Sequence, residues 1–259
     1  MTKQRESVLA TPVTIRPLQD VAEMSIGVEL QRKIWAYSET DVVPEAMFVV
    51  ARESGGQVLA AFHDEQPVGF ALAFAGIHGS KAHLHSHMVG VIREYQDRGV
   101  GRLLKLAQRD DALARGIELI EWTFDPLQLK NAHFNLAKLG AIVRRYLPNV
   151  YGRTSSPLHA GLPTDRLVAE WWVRSPHVEE VLSGKRRASS DRGARISIPT
   201  TIRQICSDNP SQAENIQSNV REQFAKHIID GFAATGFEFT DEQGSYLMEP
   251  YEDRIDQAS

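Results

Sequence analysis

The sequence predicts a mixed α/β fold in which strands and helices alternate along the first two thirds of the chain. Of the 259 residues, 42% are hydrophobic and 24% are charged, as in ordinary globular proteins. Between Ala82 and Leu147 the hydrophobic pattern runs strand, helix, strand, helix, strand. This order needs crossover connections and at least one parallel pair of strands. The length allows a core domain with a smaller appended one.

The first elements follow from alternating hydrophobicity and from residues that start or stop helices. An aspartate is a good N-cap, a proline suits a first helical turn, and a polar turn between two alternating runs indicates a hairpin. The predicted elements are a strand at Val13–Leu18, a helix from Asp20 to about Trp35, a helix from Pro44 to near Ser54–Gly56, and a hairpin around the turn Asp64–Pro67.

The next elements carry the alternation of strands and helices. Hydrophobic residues with helical spacing follow Val100, and Gly116 and Gly140 are natural helix ends. The predicted elements are a strand at Ala82–Ile92, a helix at Val100–Gly116, a strand at Ile117–Phe124, a helix ending at Gly140, a strand at Ala141–Leu147 and a last segment at Arg166–Val173.

A change of composition predicts a domain boundary. Residues 183–194 are rich in Ser, Gly and Arg, which is typical of a linker. We therefore predict a core domain at residues 1–182 and a small C-terminal α/β extension at 195–259. The extension is expected to hold a short strand, a helix between about Pro210 and Ala234, and a hairpin at Phe237–Pro250, but it has no chemical motif.

Charge and cysteine content exclude several classes of protein. The net charge is −4, from 29 Lys and Arg against 33 Asp and Glu, so no overall field favours nucleic acid or anionic membranes. The N-terminal residues lack a signal-peptide core, and no hydrophobic run reaches membrane length. Cys206 is the single cysteine and cannot form an intramolecular disulfide. These features predict a cytoplasmic protein with no nucleic-acid or membrane partner.

The segment Glu94–Leu104, EYQDRGVGRLL, places a glycine-containing turn directly before a helix. The first amides of a helix lack internal partners, and the helix dipole adds about half a positive charge there. Gly99 and Gly101 leave space for a phosphate, and Arg98 and Arg102 add positive charge. The segment lacks both the P-loop lysine and the three-glycine dinucleotide spacing. From these residues alone, a strand-to-helix turn without a ligand remains the alternative.

The wider segment HMVGVIREYQDRGVGRLL resembles the signature of the GNAT superfamily of N-acyltransferases. The acyl-CoA loop of that family reads Gln/Arg-x-x-Gly-x-Gly/Ala, and residues 96–101 match it fully. The order of elements fits over residues 12–174, and motif detail extends over about 50 residues. The resemblance implies a GNAT-like core and acetyl-CoA, or another acyl-CoA, as co-substrate.

The resemblance also implies which residues hold the co-substrate. Backbone amides from Arg98 to Arg102 would bind the pyrophosphate, and the pantetheine would lie along β-strand backbone like an added strand, with Gly90 as a candidate bulge. Asn131 matches a family asparagine that contacts the co-substrate, although it could instead cap a helix starting at Ala132. The implied binding residues are Val89, Gly90, Val91, Gln96, Asp97, Arg98, Gly99, Val100, Gly101, Arg102 and Asn131. Gly99→Glu is then expected to abolish CoA binding.

Three histidines in HLHSH are the candidates for accepting a proton. Strict alternation would place His83, His85 and His87 on one face, together with Val89 and Val91. A neutral imidazole suits this role near neutral pH.

Among the three, His85 is the first choice as catalytic residue and His87 the second. His85 stands eleven residues before Gln96, where the histone-acetylating branch of the family has a glutamate base. Ordinary strand histidines are the alternative. A metal site built from the three histidines is not predicted, because no carboxylate partner is evident in the sequence.

One family feature is missing from the chain. Many members carry a tyrosine, four residues before a helix-ending glycine, that protonates the departing thiolate, and here Leu136 occupies that position. Tyr146 or Tyr151 could take the role from the next segment. A thiol with a pKa of about 8.5 also leaves tolerably as the anion.

These features predict transfer of an acyl group from acyl-CoA to an amine by direct attack. A backbone amide near Val91 would stabilise the oxyanion, and Cys206 lies outside the motif. The acceptor is expected to be a small-molecule or peptide amine bound near residues 20–55 and 148–165. The alternatives are transfer to a hydroxyl, a longer acyl chain, and a non-catalytic acyl-CoA-binding sensor module. The helix of the extension leaves a homodimer open.

Overall fold

A computed structural model of the protein describes residues 12–37, 39, 41–152, 161–185 and 193–251. The chain forms two compact units, Met1–Glu121 and Trp122–Ser259. The predicted mixed α/β class is confirmed. The domain boundaries predicted at residues 182 and 195 stay predictions, and residues 186–192 of the predicted linker lie outside the described residues.

The first unit is built around a sheet with strand order β1-β2-β3-β4-β5. All neighbouring strands there are antiparallel except β4 and β5, which pair in parallel at Leu84↔Ile120 and His85↔Glu121. The predicted parallel pair is therefore confirmed. The elements are β1 (Thr14–Pro17), α1 (Val21–Trp35), α2 (Glu45–Glu53), β2 (Gln57–His63), β3 (Gln66–His78), β4 (Lys81–Val91), a 3₁₀ turn (Arg93–Tyr95), α3 (Val100–Ala114) and β5 (Leu119–Phe124), whose last three residues belong to the second unit.

The predicted helix starts and the predicted hairpin turn are present in the structure. The Asp20 carboxylate accepts a hydrogen bond from the Glu23 amide at 2.9 Å and caps α1, and Pro44 precedes the first turn of α2. Asp64 and Glu65 both have positive φ, +47° and +64°, which is the geometry of a tight two-residue hairpin. These local signals confirm the predicted helices and the hairpin.

Two hydrophobic clusters cover the two faces of this sheet. Helices α1 and α2 bury one face, where Phe48, Phe70 and Leu72 are fully buried. Helix α3 buries the other face through Val100 and Leu104. The first unit is thus a sheet between two helical layers, and each β4 residue faces one of them.

Strand β4 contains a bulge at His87. Leu72 of β3 lies opposite Met88 and the next residue, Ala73, lies opposite Ser86, so His87 is the extra residue. The bulge predicted at Gly90 is wrong, because Gly90 pairs in register with Phe70. A side chain would not fit at Gly90, since a Cβ atom there would lie 2.8 Å from side-chain carbons of Ile34 and Trp35.

Gly90→Ala is therefore expected to destabilise the fold by about 1–3 kcal/mol, because the extra methyl group forces α1 away from the sheet. Gly101→Ala is the matched control, since a Cβ there meets only one atom, Val91 Cγ2, at 4.0 Å. Denaturant unfolding of both variants measures the difference. Equal stability of the two would contradict the close packing of α1 on Gly90.

The second unit contains a sheet with strand order β7-β6-β9-β10-β8. Neighbouring strands β6/β7, β6/β9, β9/β10 and β10/β8 are antiparallel. The elements are α4 (Leu129–Ala132) with a π-helical continuation (His133–Lys138), β6 (Ile142–Leu147), β7 (Arg166–Trp172), α5 (Pro176–Leu182), β8 (Ala194–Pro199), α6 (Ile202–Asp208), α7 (Pro210–Ile229), β9 (Phe232–Phe239) and β10 (Gln243–Pro250).

Three sequence-based expectations need correction in this unit. The last helix ends at Ile229 rather than Ala234, because Gly231 adopts φ +80° and the chain then enters β9. Helices α5 and α6 were not predicted; the Ser175 hydroxyl accepts a hydrogen bond from the Val178 amide at 3.3 Å and caps α5. The helix ending at Gly140 is π-helical in its second part, where the Leu139 amide donates to the Phe134 carbonyl at 3.1 Å.

Helix α7 packs on the sheet of this unit through buried aromatic residues. The rings of Phe224 and Tyr246 lie 5.1 Å apart, and the Tyr246 hydroxyl donates to the Pro126 carbonyl at 2.7 Å. Trp171 is fully buried and its indole donates to the Leu139 carbonyl at 2.7 Å.

Within the described ranges, no helix combines the length and hydropathy needed to cross a membrane.

Candidate functional site

The turn between β4 and α3 has the backbone geometry of an anion site. Asp97 and Gly99 have positive φ, +57° and +81°, on either side of Arg98. Turns that contain left-handed residues can point successive amides toward one concave surface. The Leu103 amide donates to the Gly99 carbonyl at 3.0 Å, so Val100–Arg102 precede the first internal bond of α3. Their amides form the positive end of the helix.

Charge and hydrogen bonding around the turn favour an anion. The first turn of α3 has no acidic residue. The guanidinium of Arg98 lies 5.6 Å from the ring centroid of Tyr95, whose hydroxyl hydrogen bonds with His63 Nδ1 at 2.9 Å. The side-chain amide of Gln96 donates from Nε2 to the Val91 carbonyl at 3.0 Å and so ties the turn to the end of β4.

One edge of β4 next to this turn is available for an added strand. Within the first unit, the β4 residues that pair with β5 are Leu84 and His85, whereas β4 itself continues to Val91. Among the described residues of this unit, no strand pairs with that edge of residues 86–91. The opposite edge is occupied by β3. An extended ligand could therefore bond to the backbone of Val89–Val91 as a further strand does.

Because of the bulge, His85 and Val89 lie on opposite faces of β4. His85 pairs with Phe74 and Met88 pairs with Leu72, so His85 and Met88 lie on the α1/α2 face. Val89 pairs with Ala71 and faces α3. The predicted common face of the histidines with Val89 and Val91 is therefore wrong, because the extra residue reverses the alternation.

His85 and His87 nevertheless come together. Their ring centroids are 6.3 Å apart, and the His87 ring meets Phe74 edge-on at 5.6 Å. Burial lowers the pKa of His85, an effect that the carboxylate of Glu121 partly opposes. Burial also lowers the pKa of His87. Both imidazoles are therefore neutral at pH 7.

The α3 face of β4 carries a buried polar network. Lys105 Nζ donates to Ser86 Oγ at 2.8 Å, and Ser86 Oγ donates to Gln108 Oε1 at 3.0 Å. Burial lowers the pKa of Lys105 well below its usual value. Sequence reasoning missed this network, because a lysine on an amphipathic helix ordinarily faces solvent.

Comparison with known proteins gives a family match for part of the chain. Residues 26–141 match the model of the acetyltransferase (GNAT) family. The chain carries a GNAT domain. Ribosomal-protein-S18-alanine N-acetyltransferase from Escherichia coli is 16% identical, and the match covers 63% of this chain and 96% of that chain with a TM-score of 0.51. A GNAT-family protein from Desulfovibrio desulfuricans is 14% identical, with coverage of 62% and 99% and a TM-score of 0.51. These two structural similarities show that the chain shares the fold of those proteins. A search of curated proteins found no match.

The GNAT domain also brings together three side chains of types that can bind a metal ion. His78, His83 and Glu121 place one donor atom each within 4.8 Å of one another. The Glu121 carboxylate lies 3.3 Å from His78 Nε2 and 3.6 Å from His83 Nε2. The sequence did not show this carboxylate partner, because parallel pairing of β4 and β5 brings Glu121 to the histidines.

Two residues matched to the family lie in the second unit. Asn131 is a residue of α4, and its side chain is exposed. Helix α4 begins at Leu129, and its N-cap is Gln128. The alternative role of Asn131 as a helix cap is therefore wrong, and its contact with co-substrate stays a prediction. Leu136, at the position of the family tyrosine, is fully buried.

The two candidate replacement tyrosines have local partners in the same unit. The Tyr146 hydroxyl donates to the Asp165 carboxylate, which also accepts two hydrogen bonds from Arg221 at 2.9 and 3.0 Å. Burial and the bond to Asp165 raise the pKa of Tyr146, so it is a poor proton donor. Tyr151 is exposed and stacks with the Arg166 guanidinium at 5.2 Å.

Proposed function

We propose that the GNAT domain of this protein transfers an acetyl or other acyl group from acyl-CoA to an amine by direct attack on the thioester. The observation that carries the proposal is the segment Gln96–Gly101, which enters the N-terminus of α3 through two left-handed residues, with no acidic residue in the first helical turn. A CoA pyrophosphate matches such a site in charge and in hydrogen-bond acceptors.

The binding roles follow from the backbone. The amides of residues 98–102 would hold the pyrophosphate, and the β4 edge at Val89–Val91 would bond to the pantetheine. The turn is anchored to the same strand by the bond from Gln96 to the Val91 carbonyl, so the two subsites have a fixed spacing. This arrangement would present the thioester near the middle of β4.

The chemical roles are assigned to groups around that point. His85 is the last β4 residue that pairs with β5 in the first unit, and the bulge places His87 beside it. We assign acceptance of the amine proton to His85, with His87 as second choice. A backbone amide near Val91 would stabilise the oxyanion. The thiolate would leave without a protonating tyrosine, since Leu136 holds that position.

The experiment is a thiol-release assay with acetyl-CoA and a broad amine panel, run beside a CoA-binding titration. Release of CoA with at least one small-molecule or peptide amine is the expected result. Tight binding without release from any amine would instead support the sensor module, which the absence of the family tyrosine favours. No binding at all would refute both functions. Homodimer formation and cytoplasmic location stay predictions.

A further inference from the structure

The cluster of His78, His83 and Glu121 lies at the end of the β3–β4 hairpin, away from the phosphate-binding turn. His78 is the last residue of β3, and His83 follows five residues later on β4. The two imidazole rings have centroids 4.2 Å apart with an angle of 36° between their planes. Glu121 completes the set from β5. Neither the family signature nor the proposed transfer chemistry uses any of the three.

The donor set and its spacing match a divalent transition metal. Two imidazoles and one carboxylate are a ligand set found in zinc sites that keep one position open for water. Tetrahedral zinc with ligand bonds near 2.1 Å places neighbouring ligand atoms about 3.4 Å apart. The two distances from Glu121 to the histidine nitrogens, 3.3 and 3.6 Å, agree with this spacing.

The surrounding fold holds two of the three ligands in place. The side chains of His83 and Glu121 are only 9% and 10% exposed, whereas that of His78 is 55% exposed. The His83 ring packs on Gly76, its partner across the hairpin, where a Cβ atom would lie 2.5 Å from the ring. His83 and Glu121 are therefore held in place by their surroundings. The exposed side chain of His78 can change its position to bind an ion.

We propose that His78, His83 and Glu121 form a binding site for a zinc-type divalent cation that links the β3–β4 hairpin to β5. The ion would bind His78 Nε2, His83 Nε2 and a carboxylate oxygen of Glu121, and its remaining position would face solvent beside the exposed His78. The charge of the ion would be partly balanced by the Glu121 carboxylate. The alternative is a hydrogen-bonded His–Glu–His set that binds no metal.

The test uses the full chain after removal of metals with a chelator, followed by calorimetric titration with Zn²⁺ and visible absorption spectroscopy with Co²⁺. The expected result is one ion per chain and an intense, low-symmetry Co²⁺ spectrum. His78→Ala and Glu121→Gln should each weaken Zn²⁺ binding by at least about 100-fold, because each removes a direct ligand. Zn²⁺ should also raise the unfolding temperature of the wild type but not of these variants.

Controls separate this site from general binding to surface histidines. His227→Ala changes a histidine in the last turn of α7 and should leave affinity and stoichiometry unchanged. His78→Ala alters a largely exposed side chain, so its fold should persist, and circular dichroism checks this. Wild-type affinity no tighter than that of His78→Ala and Glu121→Gln would overturn the proposal. None of these measurements depends on acyl transfer, so failure of the proposed function would leave them interpretable.

Discussion

Gly101→Glu is expected to weaken CoA binding by at least about 100-fold, which corresponds to about 2.7 kcal/mol. Gly101 is the second residue of α3, among the amides proposed to hold the pyrophosphate. A side chain fits there, because the nearest atom to a Cβ at this position would be Val91 Cγ2 at 4.0 Å. The new carboxylate would face the phosphates, and like charges about 4 Å apart repel by about 4 kcal/mol near a protein surface. The fold should persist, since an acidic residue stabilises a helix N-terminus.

Gly101→Gln is the matched control for that variant, because it has the same size without the charge. The ratio of CoA dissociation constants for the two variants, measured by titration calorimetry, isolates the electrostatic effect. The Gly99→Glu change suggested by the sequence is less clean, because Gly99 adopts φ +81° and any side chain there is strained. Equal affinities for Gly101→Glu and Gly101→Gln would show that the phosphates bind elsewhere.

His85→Gln is expected to lower kcat for acyl transfer by about 10²- to 10⁴-fold, the usual contribution of a positioned proton acceptor. Glutamine preserves a polar side chain of similar reach but cannot accept the proton of the attacking amine. The KM for acetyl-CoA should stay near its wild-type value, because the proposed binding contacts come from backbone at residues 89–91 and 98–102. Steady-state kinetics with an amine identified from the panel measures both quantities.

His87→Gln provides the comparison within the same bulge. Its ring contacts Phe74, and its loss should reduce kcat by less than about tenfold if His85 is the acceptor. Circular dichroism of both variants would confirm that the strand is intact. A kcat for His85→Gln within about threefold of wild type would contradict its assignment, and a large loss confined to His87→Gln would move the role to that residue.

Local signals in the sequence were sufficient for much of the fold and for the proposed phosphate site. Asp20 and Pro44 mark helix starts through their own backbone and side-chain chemistry, and both predictions are confirmed. The Gln96–Gly101 motif also acts locally, because a turn followed by a helix N-terminus presents its amides wherever it occurs. Where neighbouring residues decide the conformation, the sequence alone is informative.

The arrangement of β4 depended on partners distant in the chain. The extra residue at His87 follows from the register between β3 and β4, and it reversed the faces that simple alternation predicted for residues beyond it. The placement of Lys105 against Ser86, and of Glu121 against His83, likewise required α3 and β5 to pack against that strand. The sequence by itself determined the class of fold, the order of most elements and the turn proposed to bind phosphate. The tertiary structure decided which side chains meet, because strand register and helix packing depend on long-range contacts that no local pattern contains.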